Sequence, residues 1–148
     1  MKLLIADDEP AVRALVHATL EGDDYLILEA GDGMEALEVS RSEHPRLVLL
    51  DIMMPRLDGL EVCRRLKRDP HTREIVVVML TAQAQERDHD RGMAAGADDY
   101  FTKPFSPLAL LRMVEELREE RRREPSQSER GERPLPGYAA GRPSPGRR

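Results

Sequence analysis

The sequence predicts an α/β protein: a doubly wound parallel sheet of five strands with helices on both faces. Short runs rich in Val, Ile and Leu recur along the chain, separated by stretches with helical apolar spacing, as in strands buried on both faces of a parallel sheet. Four of these runs also end in residues able to do chemistry. Leu3-Leu4-Ile5-Ala6 leads into Asp7-Asp8, Leu47-Val48-Leu49-Leu50 into Asp51, Val76-Val77-Val78-Met79-Leu80 into Thr81, and Tyr100-Phe101-Thr102 into Lys103-Pro104. Parallel strands bring their carboxyl ends to one edge, where open α/β sheets bind ligands. Three acids, a hydroxyl and a lysine are therefore expected to meet there.

Each element follows in order. After the first strand, Pro10 suits the first turn of a helix, on which Val12, Leu15, Val16 and Leu20 recur up to Gly22. Tyr25 to Ala30 reads as a second strand and Gly31-Asp32-Gly33 as a turn. Met34, Leu37 and Val39 lie on a helix that must end before Pro45. The third strand reaches Asp51, a loop holds Pro55, and Gly59 opens a helix with Val62, Cys63 and Leu66. A fourth strand, Ile75 to Leu80, precedes a polar helix from about Gln83 to Ala95, stopped by Gly96. A fifth strand and a helix from Ser106 complete five βα units, with right-handed crossovers expected.

The 148 residues suit one globular domain. Residues 1 to 120 hold 15 Lys and Arg against 25 Asp and Glu, whereas residues 121 to 148 hold 8 Arg against 3 Glu. An acidic body of about −10 argues against nucleic acid as its main ligand. From Arg121 the character changes: residues 124 to 148 carry five of the eleven prolines and four of the ten glycines, so a disordered Arg/Pro/Gly-rich tail is expected over 122–148. The lone Cys63 excludes an internal disulfide and reads as a small core hydrophobe. No signal peptide or membrane-spanning run is apparent, which makes a cytoplasmic protein the expectation.

Asp7, Asp8 and Asp51 at one edge would crowd negative charge into a small volume. Two unit charges 4 Å apart repel by about 4 kcal/mol at an effective dielectric of 20. Such a cluster holds protons or recruits a cation, and magnesium suits it best, being a hard ion that accepts one or two carboxylates alongside water and phosphate oxygens. Lys103 adds a point charge for a phosphoryl oxygen and Thr81 a hydroxyl donor. Together these residues read as a phosphoryl-transfer site with Asp51 as nucleophile. Taken singly, Asp7-Asp8 reads as a helix cap, Asp51 as a turn cap and Lys103 as a solvated charge; their common strand-end position overturns those readings. His17, His44, His71 and His89 lack ligand spacing and read as structural or solvated.

Over residues 1 to about 120 the chain resembles a response-regulator receiver domain, the phospho-accepting module of two-component signalling, which places that domain over 1–121. The resemblance rests on Asp7-Asp8-Glu9-Pro10, Asp51-Ile52-Met53-Met54-Pro55 with Asp58-Gly59, Thr81-Ala82, and the stretch from Gly96 to Phe105. It implies the flavodoxin-like strand order 2-1-3-4-5. It also implies a phosphoryl group on Asp51 from a histidine kinase or histidine phosphotransferase. Magnesium would be held by Asp8, Asp51 and the Met53 carbonyl, with Asp7 acting through water. Thr81 and Lys103 would hold the phosphoryl oxygens, Lys103-Pro104 would be cis, and Tyr100 would swing inward as Thr81 moves. Met53 and Gln83, two residues past Asp51 and Thr81, occupy positions that in this family influence phosphoryl lifetime.

The reading is a signalling module and not a turnover enzyme, acting by phosphorylation-dependent docking through the fourth helix, fifth strand and fifth helix around Tyr100. Its downstream protein is unknown, a phosphorylation-dependent dimer is a further candidate, and neither membrane nor direct nucleic-acid binding is expected. One alternative is a truncated remnant of a longer multidomain regulator. A magnesium-dependent aspartyl-phosphate phosphohydrolase of the haloacid-dehalogenase type would want a second Asp where Met53 stands. A flavin or nucleotide carrier would want a glycine-rich loop in place of Asp7-Asp8-Glu9-Pro10.

Overall fold

A computed structural model describes residues 1–22, 24–82 and 86–123, with the side chains of 86–89 and 121–123 excepted. The expected disorder of the tail over 124–148, the role of Gln83 and the start of the polar helix at Gln83 lie outside the described residues.

The chain divides into two units, Met1–Phe105 and Ser106–Arg148. The first alternates β1 (Lys2–Ala6), α1 (Pro10–Thr19), β2 (Leu26–Ala30), α2 (Gly33–Glu43), β3 (Leu47–Asp51), α3 (Gly59–Arg68), β4 (Val76–Thr81), α4 (Glu86–Ala94) and β5 (Asp99–Thr102). The strands form one parallel sheet in the order β2-β1-β3-β4-β5, as expected. Every residue of β3 and β4 is buried, which explains why both read as unbroken apolar runs. One layer of the core joins Leu4, Ala6, Val48, Leu50, Val77 and Met79 of the strands to Ala36 and Leu37 of α2 and Val62, Cys63 and Leu66 of α3. Alternate strand residues Leu3, Ile5, Leu47, Leu49, Val78 and Leu80 are also buried, on the opposite face.

Helix caps follow the sequence. Asp32 and Asp58 each accept a hydrogen bond from the N–H three residues on, at 2.8 and 2.9 Å. At the other end of α4, Gly96 has φ +103°; its N–H donates to the Met93 carbonyl and that of Ala97 to the Gly92 carbonyl, a Schellman ending. In the second unit, α5 (Pro107–Arg123) starts after Ser106, whose Oγ accepts from the Ala109 N–H at 3.2 Å. Its Leu110, Met113, Val114 and Leu117 are spaced as one face and are buried.

Several boundaries differ from the reading above by one residue. β2 begins at Leu26, one residue later than expected, β4 spans Val76–Thr81, α4 ends at Ala94, and α5 begins at Pro107. That helix runs through Arg123, since a Glu/Arg run has good helix propensity. On α1, Leu15 is 36% exposed while Val16 and Leu20 are buried. Residues 12, 16 and 20 stack along one line of the helix, and Leu15 is turned about 100° away from Val16. The buried face of α2 is made of Gly33, Ala36, Leu37 and Ser40, with Met34 and Val39 only half-buried, because close packing selected small residues there. Cys63 is buried as expected, and burial pushes its thiol up to about 12, leaving it an inert hydrophobe. Among the described residues no helix is long and apolar enough to cross a membrane.

Two glycines let the loop after β3 fold onto the sheet edge. A Cβ on Gly59 would lie 2.1 Å from the Asp51 carbonyl oxygen, and one on Gly33 would lie 1.7 Å from that of Leu57. Both obstacles are backbone, so neither can swing aside. Gly59→Ala should destabilise the chain by about 2 kcal/mol or more, as overpacking does in well-packed interiors. Urea denaturation followed by circular dichroism measures this; a midpoint unchanged from the parent would contradict the close approach.

Candidate functional site

The expected side chains meet at the carboxyl edge of the sheet because the ladder continues past the strand ends. The Asp7 N–H donates to the Ala30 carbonyl at 3.0 Å, the Ile52 N–H to Leu80 at 3.2 Å, and the Lys103 N–H to Thr81 at 2.7 Å. These bonds hold the residues that follow β1, β3 and β5 in strand register. Carboxylate oxygens of Asp7, Asp8 and Asp51 lie within 4.8 Å of one another. Asp7 and Asp51 are buried, and Asp8 is exposed.

Lys103 enters this cluster as its cation. Its Nζ lies 2.9 Å from Asp7 Oδ2, 3.4 Å from Asp51 Oδ2 and 3.7 Å from Glu9 Oε1. Burial alone would lower its pKa, but the hydrogen bond to Asp7 and the charges of Asp51, Asp7 and Glu9 outweigh that and raise it. Lys103 is thus a permanent positive charge at neutral pH. Its peptide bond to Pro104 is cis.

Asp51 is held the other way. Desolvation first, then the charge of Asp7, raise its carboxyl to about 6, against the opposing pull of Lys103 and of the Met53 N–H, which donates to Asp51 Oδ1 at 3.2 Å. A carboxylate kept in so unfavourable a state is one that an added cation would relieve. The residues therefore fit a hard divalent ion: oxygen donors, a shared charge excess, and an exposed member, Asp8, facing solvent.

Thr81 is buried at the last position of β4 and pairs in register with Thr102, next to Lys103. Tyr100 pairs with Met79, is half-buried, and packs against the core layer. Met53 is 73% exposed and stands on the rim. Two neighbours escaped the sequence reading. Glu9 reaches Lys103, and Arg13 of α1 donates from Nη1 to the Asp7 carbonyl oxygen at 2.6 Å. Their signal was only proximity: an acid adjoining the Asp pair, and a cation one helical turn beyond it.

The raised carboxyl makes stability depend on pH. An unfolded Asp51 would ionise near its ordinary value of 3.8, the folded one near 6, so the unfolded chain binds fewer protons between those values. Its contribution therefore falls as pH rises from about 4 to 6 and stays low above that. In divalent-free buffer at pH 7, Asp51→Asn should be more stable than the parent by about 1 to 3 kcal/mol. Denaturation midpoints across pH 4 to 7 check this: the two proteins should converge at the acid end, and an equal gap at both ends would contradict it.

Comparison with known proteins agrees with this geometry. Residues 3–115 match the family model of the response regulator receiver domain. The chain is 43% identical over 116 residues to the DNA-binding dual master transcriptional regulator RpaA of Synechocystis, covering 78% of this chain and 48% of that protein. To the alkaline phosphatase synthesis transcriptional regulatory protein PhoP of Bacillus subtilis it is 41% identical, with 78% and 47% covered. It thus spans about half the length of the curated relatives it matches. Among solved structures, chemotaxis response regulator CheY4 of Vibrio cholerae superposes with a TM-score of 0.72 at 28% identity, over 78% of this chain and 97% of that one. From the strand order to the matched residues, the chain belongs to the response regulator receiver domain family.

Proposed function

We propose that this chain is a phosphorylation-controlled switch whose phosphoacceptor is Asp51. The observation that carries the reading is the juxtaposition of Asp51 with Asp7, Asp8 and Lys103 at one sheet edge. An Asp51 carboxylate oxygen attacks the phosphorus of a phosphohistidine on a histidine kinase or phosphotransferase. The O–P bond forms as the N–P bond breaks, and the imidazole leaves with the electron pair and takes up a proton. Lys103 is charged and close enough to meet a phosphoryl oxygen, and the Thr81 hydroxyl donates to another.

Asp8, Asp51 and the Met53 carbonyl would hold magnesium, with Asp7 acting through water. When bound, the ion would supply positive charge to offset the carboxylates and the developing charge of the phosphoryl group. Ala82, small and exposed beside Thr81, leaves room for the incoming group. Drawing Thr81 towards the phosphoryl group opens space for the Tyr100 ring, and a partner preferring that arrangement is favoured by its differential affinity alone. The receiver domain proper spans residues 1–121, and the Arg-rich remainder is a separate segment. The protein works in the cytoplasm as a regulator and not as a turnover enzyme.

What receives the signal admits two readings. Docking to a separate protein, or to a second copy, suits the acidic body, which disfavours nucleic acid on the domain itself. Service as the receiver portion of a longer transcriptional regulator is favoured by the half-length coverage of relatives described as such. Size-exclusion chromatography and capture experiments with and without phosphorylation distinguish a self-association from a hetero-partner.

Incubation with acetyl phosphate and magnesium should give a stoichiometric, acid-labile adduct on Asp51, abolished in Asp51→Asn and reduced at least tenfold in Asp8→Ala. Undiminished labelling of Asp51→Asn would overturn the assignment, and catalytic phosphate release would point to a hydrolase. Met53 offers only a thioether, a weak acceptor that orients water poorly. Met53→Asn should therefore shorten the adduct's lifetime severalfold in a decay assay; an equal or longer lifetime contradicts this role.

A further inference from the structure

Asp8 is exposed, and among the described residues its carboxylate makes no hydrogen bond or ion pair, although it lies within 4.8 Å of Asp7 and Asp51. Its side chain is therefore placed by its backbone. That backbone is fixed at Asp7, whose four polar groups are all engaged. The N–H donates to Ala30, Oδ1 accepts from the Glu9 N–H at 2.9 Å, Oδ2 meets Lys103 at 2.9 Å, and the carbonyl oxygen accepts from Arg13 Nη1 at 2.6 Å. Only the last of these holds the peptide that leads directly into Asp8.

The Arg13 guanidinium is itself held. Its Nε donates to Glu29 Oε1 at 2.9 Å, while Glu29 Oε2 lies 2.6 Å from His17 Nε2. Arg13 side-chain exposure is 22%. A planar fork with one prong on β2 and the other on the Asp7 carbonyl ties α1, the edge strand and the acidic turn together, which a flexible ammonium cannot do equally well.

We propose that Arg13 is a positioning residue for the divalent cation: it orients the Asp7–Asp8 peptide and so presents the Asp8 carboxylate beside Asp51. The inference rests on the phosphoacceptor reading above, and it assigns to Arg13 no contact with the cation. Removal of an outer partner that orients a metal ligand typically weakens metal affinity 10- to 100-fold. The loss here should sit at the low end, because Asp7 keeps its other three bonds.

The test is calorimetric titration of the full, unphosphorylated chain with magnesium chloride, well below the unfolding temperature, alongside acetyl phosphate labelling at varied magnesium. Arg13→Ala should raise the dissociation constant about tenfold and shift the half-saturating magnesium for labelling in parallel, while the labelling rate at saturation stays within about threefold. A merely structural role would lower the melting temperature without moving half-saturation. Arg13→Lys should fall between parent and alanine variant, and it serves where the alanine variant does not fold. An unchanged dissociation constant in whichever variant folds, with the parent binding magnesium normally, overturns the proposal alone. Failure of the parent to bind magnesium or to label on Asp51 overturns the phosphoacceptor reading as well.

Discussion

Like charges gathered at the end of a hydrophobic sheet are the constraint around which the rest of this domain is arranged. Three carboxylates within 4.8 Å, two of them buried, would repel by several kcal/mol even at an intermediate dielectric. The fold meets this in two ways. Lys103 arrives from the next-but-one strand as an internal counter-ion, and backbone N–H groups donate to the carboxylates, that of Glu9 to Asp7 Oδ1 at 2.9 Å and that of Met53 to Asp51 Oδ1 at 3.2 Å. Desolvation and then the charge of Asp7 outweigh that help at Asp51, whose carboxyl is pushed up to about 6. The residual imbalance sits on the residue that reads as nucleophile, beside an exposed acid through which solvent and ions reach it.

Holding such a cluster requires rigid backbone, and the loop after β3 supplies it by close approach instead of side-chain packing. The Pro55 carbonyl accepts from the N–H of Gly33 at 3.2 Å and of Leu57 at 2.8 Å. The second bond closes a three-residue turn around Arg56, whose φ of +71° is uncommon for a residue with a side chain. Arg56 also reaches the Asp32 carboxylate that caps α2, at 3.3 Å. The turn that carries Met53 is thereby fastened to α2 on one side and, through the Gly59 N–H on the Ile52 carbonyl at 2.9 Å, to itself on the other. Precision at Asp51 rests on these backbone bonds, consistent with placing a site on strand ends.

The sheet and the acidic cluster were legible because both depend on pattern. Runs such as Leu47 to Asp51, short and separated by helical stretches, read as strands buried on both faces, and a parallel sheet then dictates which ends coincide. What escaped was set by three-dimensional approach. Nothing local distinguishes Leu15 from Val16 as the exposed member of α1, since their difference is a rotation of the helix about its own axis. Likewise Gly33 reads as part of a turn, while its structural role is to admit the Leu57 carbonyl from a loop more than twenty residues away. Arg13 was invisible for a related reason. An arginine on an amphipathic helix reads as solvated until the Asp7 carbonyl and Glu29 are seen on either side of it.

The opposite edge of the sheet shows the same pairing with its charges matched. Lys67 Nζ, at the end of α3, donates to Asp98 Oδ2 at 2.9 Å and to the carbonyls of Ile75 and Arg73 at 2.7 and 3.1 Å. Asp98 in turn accepts from the Val77 N–H at 2.9 Å, and its own N–H donates to the Val77 carbonyl at 2.8 Å. Here one ammonium meets one carboxylate, and it also donates to two backbone oxygens where β4 begins. Charge balances, so the clasp joins α3, β4 and β5 without an excess for any ion to relieve. At the carboxyl edge one ammonium meets Asp7, Asp51 and Glu9, with Asp8 beside them, and a deficit of positive charge is left. The two lysine–aspartate sites differ in stoichiometry and not in kind, and the surplus of carboxylate gives the carboxyl edge a donor set and a charge excess that fit a hard cation.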